Sequence, residues 1–329
     1  MKKLEIVPFR KFWQDCFNCI VYSIIDYAFH VPDLYYYNNM YKYLVIDHTL
    51  YDHEKELHYN SIVPWTDNQS IFNKITKNNE VLDKENQKDV IQYIKDNIDK
   101  NRIVLPGVDL YYWIKAGLHY HHNHFEHFSL IIGYDDDTEE VIVLDTGDDM
   151  FAEFRVEYCD VIEAISHAKE IPTVTADIDY EADIKLFTKE ELVECAKVLV
   201  KSIDKVIRLK DDIWNLDGLS DEAYYELMSI LQTHTFSMQN RAKIDAYMFK
   251  NTFEDDRING ISLGDTLTEL ATKFGNIKMR CVKSLYRKET INEVPVVKEG
   301  VLELMEETRK LWNLFIENND QLTMKCIEE

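Results

Sequence analysis

Two cysteines stand three residues apart in Trp13-Gln14-Asp15-Cys16-Phe17-Asn18-Cys19. Phe17, Ile20, Val21, Ile24 and Ala28 then recur at helical spacing, which predicts a helix over 16–29 with a thiol at its start. A thiol in that place meets the positive end of the helix and its unpaired backbone N–H groups. Both favour thiolate over thiol, and the same N–H groups can hold an oxyanion. Inert packing is the competing reading, because a buried cysteine also behaves as a small hydrophobe. Cys-x-x-Cys admits redox chemistry or half a zinc site, but no strand of thioredoxin type precedes it and no second cysteine pair completes a site.

A second constellation is His119-Tyr120-His121-His122-Asn123-His124-Phe125-Glu126-His127, with five histidines in nine residues. The spacing is not that of a helical zinc motif, and the segment runs into a strand, so no metal is expected. Most of these histidines read as a polar loop. His127 differs, since it stands directly before the apolar run 128–134, where a rigid strand can hold a general base. The third residue is Asp145, at the end of the run Val143-Leu144-Asp145-Thr146-Gly147. If 128–134 and 140–144 pair as a hairpin around Asp135-Asp136-Asp137, His127 and Asp145 become neighbours, and the carboxylate can fix the imidazole's tautomer. Asp145 also reads as a residue that merely opens a turn before Gly147.

The elements that must position these residues fall into two halves. Residues 1–178 are mixed: the helix at 16–29, a helical stretch over 68–100, and strands at 102–105, 128–134 and 140–144. From 185 the periodicity becomes helical, with helices expected at 189–210, 220–251, 263–287 and 293–317 and breaks at Asp217-Gly218, Asn259-Gly260 and Asn292-Glu293-Val294-Pro295. Thr188 with Glu191 three residues on reads as a capping box. The fold class is α+β, as a mixed domain over 1–178 followed by an all-α helical bundle over 185–329.

Composition narrows the function. The chain has 329 residues, 37 Lys+Arg and 60 Asp+Glu, for a net charge of −23. That balance disfavours nucleic acid and anionic membranes and suits amine-bearing partners. Only 9 Gly occur, and neither the dinucleotide nor the P-loop pattern is present. No signal-peptide core and no long apolar span is read, and six cysteines in this length do not form a disulfide framework. A cytoplasmic protein with free thiols is therefore expected.

The blocks Gly107-Val108-Asp109-Leu110-Tyr111-Tyr112, His124-Phe125-Glu126-His127-Phe128, Ile132-Gly133-Tyr134-Asp135 and Leu144-Asp145 resemble the butirosin biosynthesis protein H family. The N-terminal domain of that family is papain-like and similar to the peptidases that clip bacteriocin leaders. The resemblance covers roughly residues 10–150. It implies a Cys-His-Asp triad with His127 as base and Asp145 as its orienter. Cys16 matches the Asp-Cys placement. Cys19 matches papain-like enzymes whose nucleophile is second in Cys-x-x-Cys, with Gln14 five residues upstream as the oxyanion donor. Phe17 stands where the leader peptidases have Gly.

The resemblance also implies the reaction. An acyl group leaves the phosphopantetheine thioester of an acyl carrier protein or peptidyl carrier protein and is joined to a small amine, giving an amide in natural-product biosynthesis. In the closthioamide pathway the acceptor is a diamine. No cofactor is bound by the enzyme itself. Tyr36, within Tyr35-Tyr36-Tyr37, and Tyr111-Tyr112-Trp113 are expected to wall the substrate channel. The alternatives are a cysteine peptidase or amidase on the same triad, and a non-catalytic binding protein of the same fold.

Overall fold

A computed structural model describes residues 1–13, 15–29, 41–52, 55–82, 89–147, 151–184, 187–214 and 220–325. In chain order these form β1 (Lys2–Lys3), α1 (Cys16–Phe29), β2 (Tyr41–Asp52), β3 (Lys55–Thr66), α2 (Asn68–Ile75), β4 (Thr76–Val81) and α3 (Val90–Asp99). Next come β5 (Ile103–Leu105), β6 (Gly107–Asp109), β7 (Glu126–Phe128), β8 (Leu130–Asp135), β9 (Glu140–Thr146), β10 (Phe151–Glu157), α4 (Tyr158–His167) and β11 (Val174–Ile178). The remainder is α5 (Lys189–Arg208), α6 (Asp221–Thr252), β12 (Arg257–Ile258), β13 (Ile261–Ser262), α7 (Leu263–Arg287) and α8 (Glu293–Asn318). Among the described residues no helix is long and apolar enough to cross a membrane.

The chain is thus mixed α/β with a C-terminal helical region, and it divides into two compact units. One comprises Met1–Pro32 with Asp67–Lys185, the other Asp33–Thr66 with Leu186–Glu329. The first is built on a sheet of order β10-β9-β8-β5-β11-β4, with β1 also paired to β8. β8 and β9 form the antiparallel hairpin that their apolar runs predict, Leu130 opposite Leu144 and Asp135 opposite Glu140. Val141, Ile142, Val143 and Leu144 are all buried, so β9 is apolar on both faces until Asp145. At Gly133 β1 runs so close that a Cβ would meet the Lys2 carbonyl oxygen at 2.5 Å.

The expected helix over 68–100 is broken. Thr76 turns extended after α2 while its hydroxyl donates to the Phe72 carbonyl, and β4 then adds to the sheet edge beside β11. Lys77-Asn78-Asn79-Glu80 is exposed and polar, so its pattern carries no burial signal. Asn78 takes a left-handed backbone, and Arg102 ties the strand down through Glu80 and the Asn78 carbonyl. Pairing at the edge overrides a weak local preference.

The second unit is not all-α. Its four long helices start and stop within two residues of the expected bounds, and the Thr188–Glu191 capping box forms. Asn259-Gly260 makes a tight turn between β12 and β13, both residues at positive φ, as a two-residue hairpin requires. Asp217-Gly218 lies outside the described residues. Residues 41–66, placed by the sequence within the domain 1–178, form the long hairpin β2–β3 and belong to this unit. Tyr41 explains why: its hydroxyl donates to Asp245 of α6 at 2.9 Å, its ring lies under the Arg241 guanidinium, and all three are buried. The Tyr43 amide likewise donates to Ser202 of α5.

Candidate active site

Asp15 accepts from the Asn18 backbone N–H at 2.7 Å and thereby caps α1, which places Cys16 in its first turn. The helix is anchored from Asn18 to Ile25 by continuous burial. Cys19 is in that buried stretch, 1% exposed, whereas Cys16 is half-buried. The Phe17 ring packs between Phe72 of α2 and Phe128 of β7. Gln14 and Tyr36 lie outside the described residues. Arg10 and Lys11 are exposed, with Lys11 3.9 Å from Asp26.

His127 is held by a separate two-stranded ladder. After Leu105 and before Leu130 the chain leaves the large sheet at the same level, where Ser129 donates its N–H to the Pro106 carbonyl. Beyond that corner β6 pairs with β7, Val108 opposite His127. His127 is therefore not an extension of the β8–β9 hairpin, as the sequence suggests. Glu126 pins the ladder by accepting from the backbone N–H groups of Lys169, Glu170 and Ile171. A Cβ at Gly107 would collide with the Ile171 carbonyl oxygen, so only glycine lets that segment lie against β6.

These elements bring Cys16, His127 and Asp145 together, with one sulfur, nitrogen or oxygen atom of each within 4.8 Å of the others. His127 Nε2 lies 3.0 Å from Asp145 Oδ2, which leaves Nδ1 for the sulfur. Asp145 is wholly buried and fully engaged. Its Oδ2 also accepts from Trp113 Nε1 at 2.8 Å, and its Oδ1 accepts from the Thr146 N–H at 2.6 Å. Burial works against a charged imidazole. The Asp145 carboxylate, its hydrogen bond and the Cys16 sulfur outweigh that and push His127 up to about 10. The balance favours the imidazolium, the form that would pair with a thiolate.

Trp113 was expected on a channel wall and is instead a buried partner of Asp145. Tyr111 and Tyr112 are not among the described residues that line the cleft beside Cys16. Tyr111 stacks on His124 at 4.5 Å and Tyr112 on His167 at 4.6 Å. The histidine loop explains itself in the same way: His121 stacks on Tyr120, His119 on Phe125, and His124 sits 2.6 Å from Asp109. Asp109 also accepts from the Tyr111 and Phe125 N–H groups and so draws together both ends of the loop 110–125. One wall of a cleft of about 180 Å³ beside Cys16, His127 and Thr146 is made by that loop.

Thr146 carried no signal in the sequence beyond its position after Asp145. Its Oγ1 is 3.2 Å from Cys16 Sγ, and when the sulfur is a thiolate the hydroxyl is the donor. Thr146→Val keeps the shape and removes that donor. Alkylation of Cys16 by iodoacetamide near neutral pH should slow by about tenfold, because a hydrogen bond to a charged group is worth about 1.5–3 kcal/mol. Thr146→Ser should restore the rate, and equal rates for all three proteins would remove Thr146 from the site. No protein-family model matches the chain, and no curated protein matches it.

Proposed function

We propose that this protein is a cysteine-dependent acyltransferase on a papain-like catalytic unit, moving an acyl group from a carrier-protein thioester onto an amine to form an amide. The observation that supports it is Cys16 gathered with His127, which a fully satisfied, buried Asp145 holds in place and favours in its charged form. The resemblance to the butirosin biosynthesis protein H family supplies the donor and acceptor classes. In this reading the Cys16 thiolate attacks the thioester carbonyl, and the tetrahedral intermediate collapses with loss of the pantetheine thiolate, which takes a proton from His127. The amine then attacks the acyl-enzyme carbonyl. His127, now neutral, accepts the amine's proton as the amide leaves, and the thiolate–imidazolium pair is restored.

Exchange of one thioester for another is close to isoenergetic, so no separate activation is needed within the site. The surplus of negative charge suits a cationic amine in solution, although attack itself requires the neutral form. Intact-mass measurement of the protein mixed with an acyl-pantetheine thioester should show an acyl adduct on Cys16. Added amine should discharge it faster than water does, with amide as product. An adduct that water discharges equally fast would make the protein a hydrolase of the same triad, and no adduct with any thioester or amide would leave a binding protein.

A further inference from the structure

Beside the thiol the cleft has two unlike sides. Cys16 and His127 form the reactive side, and Leu110, Ile114, Leu118 and Phe125 face it from the loop 110–125. Among the described residues lining it there is no Lys, Arg, Asp or Glu. Thr146 and His119 are the other polar side chains lining it: the Thr146 hydroxyl lies on Cys16, and His119 is stacked on Phe125 with its Nδ1 3.0 Å from Asn123. Leu118 is 73% exposed and Phe125 54%, so two large apolar side chains stand in water at the mouth of a catalytic cleft. The rim is not loose: Phe125 is tied by its N–H to Asp109 and by its carbonyl to the Leu110 N–H at 2.9 Å. Preorganised apolar surface left solvated is a feature that a ligand completes.

We propose that this cleft is the acyl subsite and that it selects a short, uncharged, predominantly apolar acyl group. The inference rests on the acyl-transfer reading and adds the class of donor to it. A terminal carboxylate or ammonium would lose water there with no counter-charge among the described lining side chains, since His127 is already committed to Asp145 and Cys16. A cavity of about 180 Å³ is below the usual range for drug-sized ligands, which sets the acyl group at fragment size and excludes full burial of a long fatty chain.

Two probe pairs test this. Pentanoyl and succinyl thioesters of N-acetylcysteamine are matched in length and differ in terminal charge. N-pentyl and N-(2-carboxyethyl) iodoacetamide carry the same contrast to the sulfur without acyl chemistry. The pentanoyl thioester should acylate Cys16 at least about tenfold faster than the succinyl one, and the iodoacetamides should show the same order. Leu118→Asp should collapse both ratios toward unity while its urea midpoint stays that of the wild-type protein, because Leu118 is 73% exposed, and the unchanged midpoint separates loss of the subsite from loss of the fold. Equal rates within both pairs overturn the subsite while a Cys16 adduct leaves acyl transfer standing. If neither thioester forms an adduct but N-pentyl iodoacetamide still labels faster, the apolar subsite stands and the acyl-transfer reading falls.

Discussion

Cys16→Ala should abolish both acyl-adduct formation and fast alkylation, whereas Cys19→Ala should retain both. The sequence puts Cys16 first and keeps Cys19 as the alternative nucleophile, as both belong to the same Cys-x-x-Cys and each has a precedent. The structure separates them by burial: Cys16 opens on the cleft with His127 and Thr146, and Cys19 is enclosed in the core. Loss of a nucleophile costs on the order of a millionfold in turnover, while trimming a buried sulfur costs stability of about 1 kcal/mol and little activity. Peptide mapping after a brief iodoacetamide pulse near neutral pH should place the label on Cys16. Two other cysteines act as internal controls. Partial desolvation and the neighbouring Asp160 and Glu157 carboxylates push the Cys159 thiol up, and burial pushes Cys195 up, so both should label slowly. Retained turnover in Cys16→Ala with loss in Cys19→Ala would reverse the assignment.

How far the sequence reaches is decided by what kind of signal each feature leaves. Cys16, His127 and Asp145 each end or begin an apolar run, so their positions at element boundaries are legible from periodicity. Their convergence depends in part on β8 pairing with β9, which two continuous apolar runs and an acidic turn announce. The corner at Pro106 and Ser129 leaves no such trace, because one backbone hydrogen bond between distant residues makes it. Trp113 is illegible for a related reason. Its neighbours Tyr111 and Tyr112 give it the look of an aromatic wall, and only the fold reveals that a buried indole N–H needs a buried acceptor, which Asp145 supplies. That residues 41–66 join the second unit is illegible because their partner, the Arg241–Asp245 pair on α6, is some two hundred residues away and reads locally as an ordinary i, i+4 ion pair.

Asp145→Asn should cost far more than an ordinary loss of one charge, because every hydrogen atom around this carboxylate points inward. Oδ2 faces the donors Trp113 Nε1 and His127 Nε2, and Oδ1 faces the Thr146 N–H. An asparagine must turn its NH₂ toward one side or the other, and either choice sets donor against donor. The variant also leaves a buried imidazolium without its carboxylate, a loss of about 3–5 kcal/mol in stability for a broken buried pair. Some turnover should remain, since Asp145 orients His127 and does not react. The pH dependence carries the sign. His127 is raised from about 6.5 in the unfolded chain to about 10. Its pairing therefore stabilises the fold fully below about pH 6.5, and that contribution is lost as the pH climbs through about 10. With Asp145 neutralised, burial acts on His127 against weaker opposition, its pKa falls, and the loss with rising pH is smaller and complete at lower pH. Urea midpoints measured from mildly acidic to alkaline pH should fall steadily toward about pH 10 for the wild-type protein, and should fall less and level off sooner for Asp145→Asn. The rate of Cys16 alkylation near neutral pH should drop in the same variant. Parallel stability curves for the two proteins, with equal alkylation rates, would show that Asp145 does not hold His127 in its charged form.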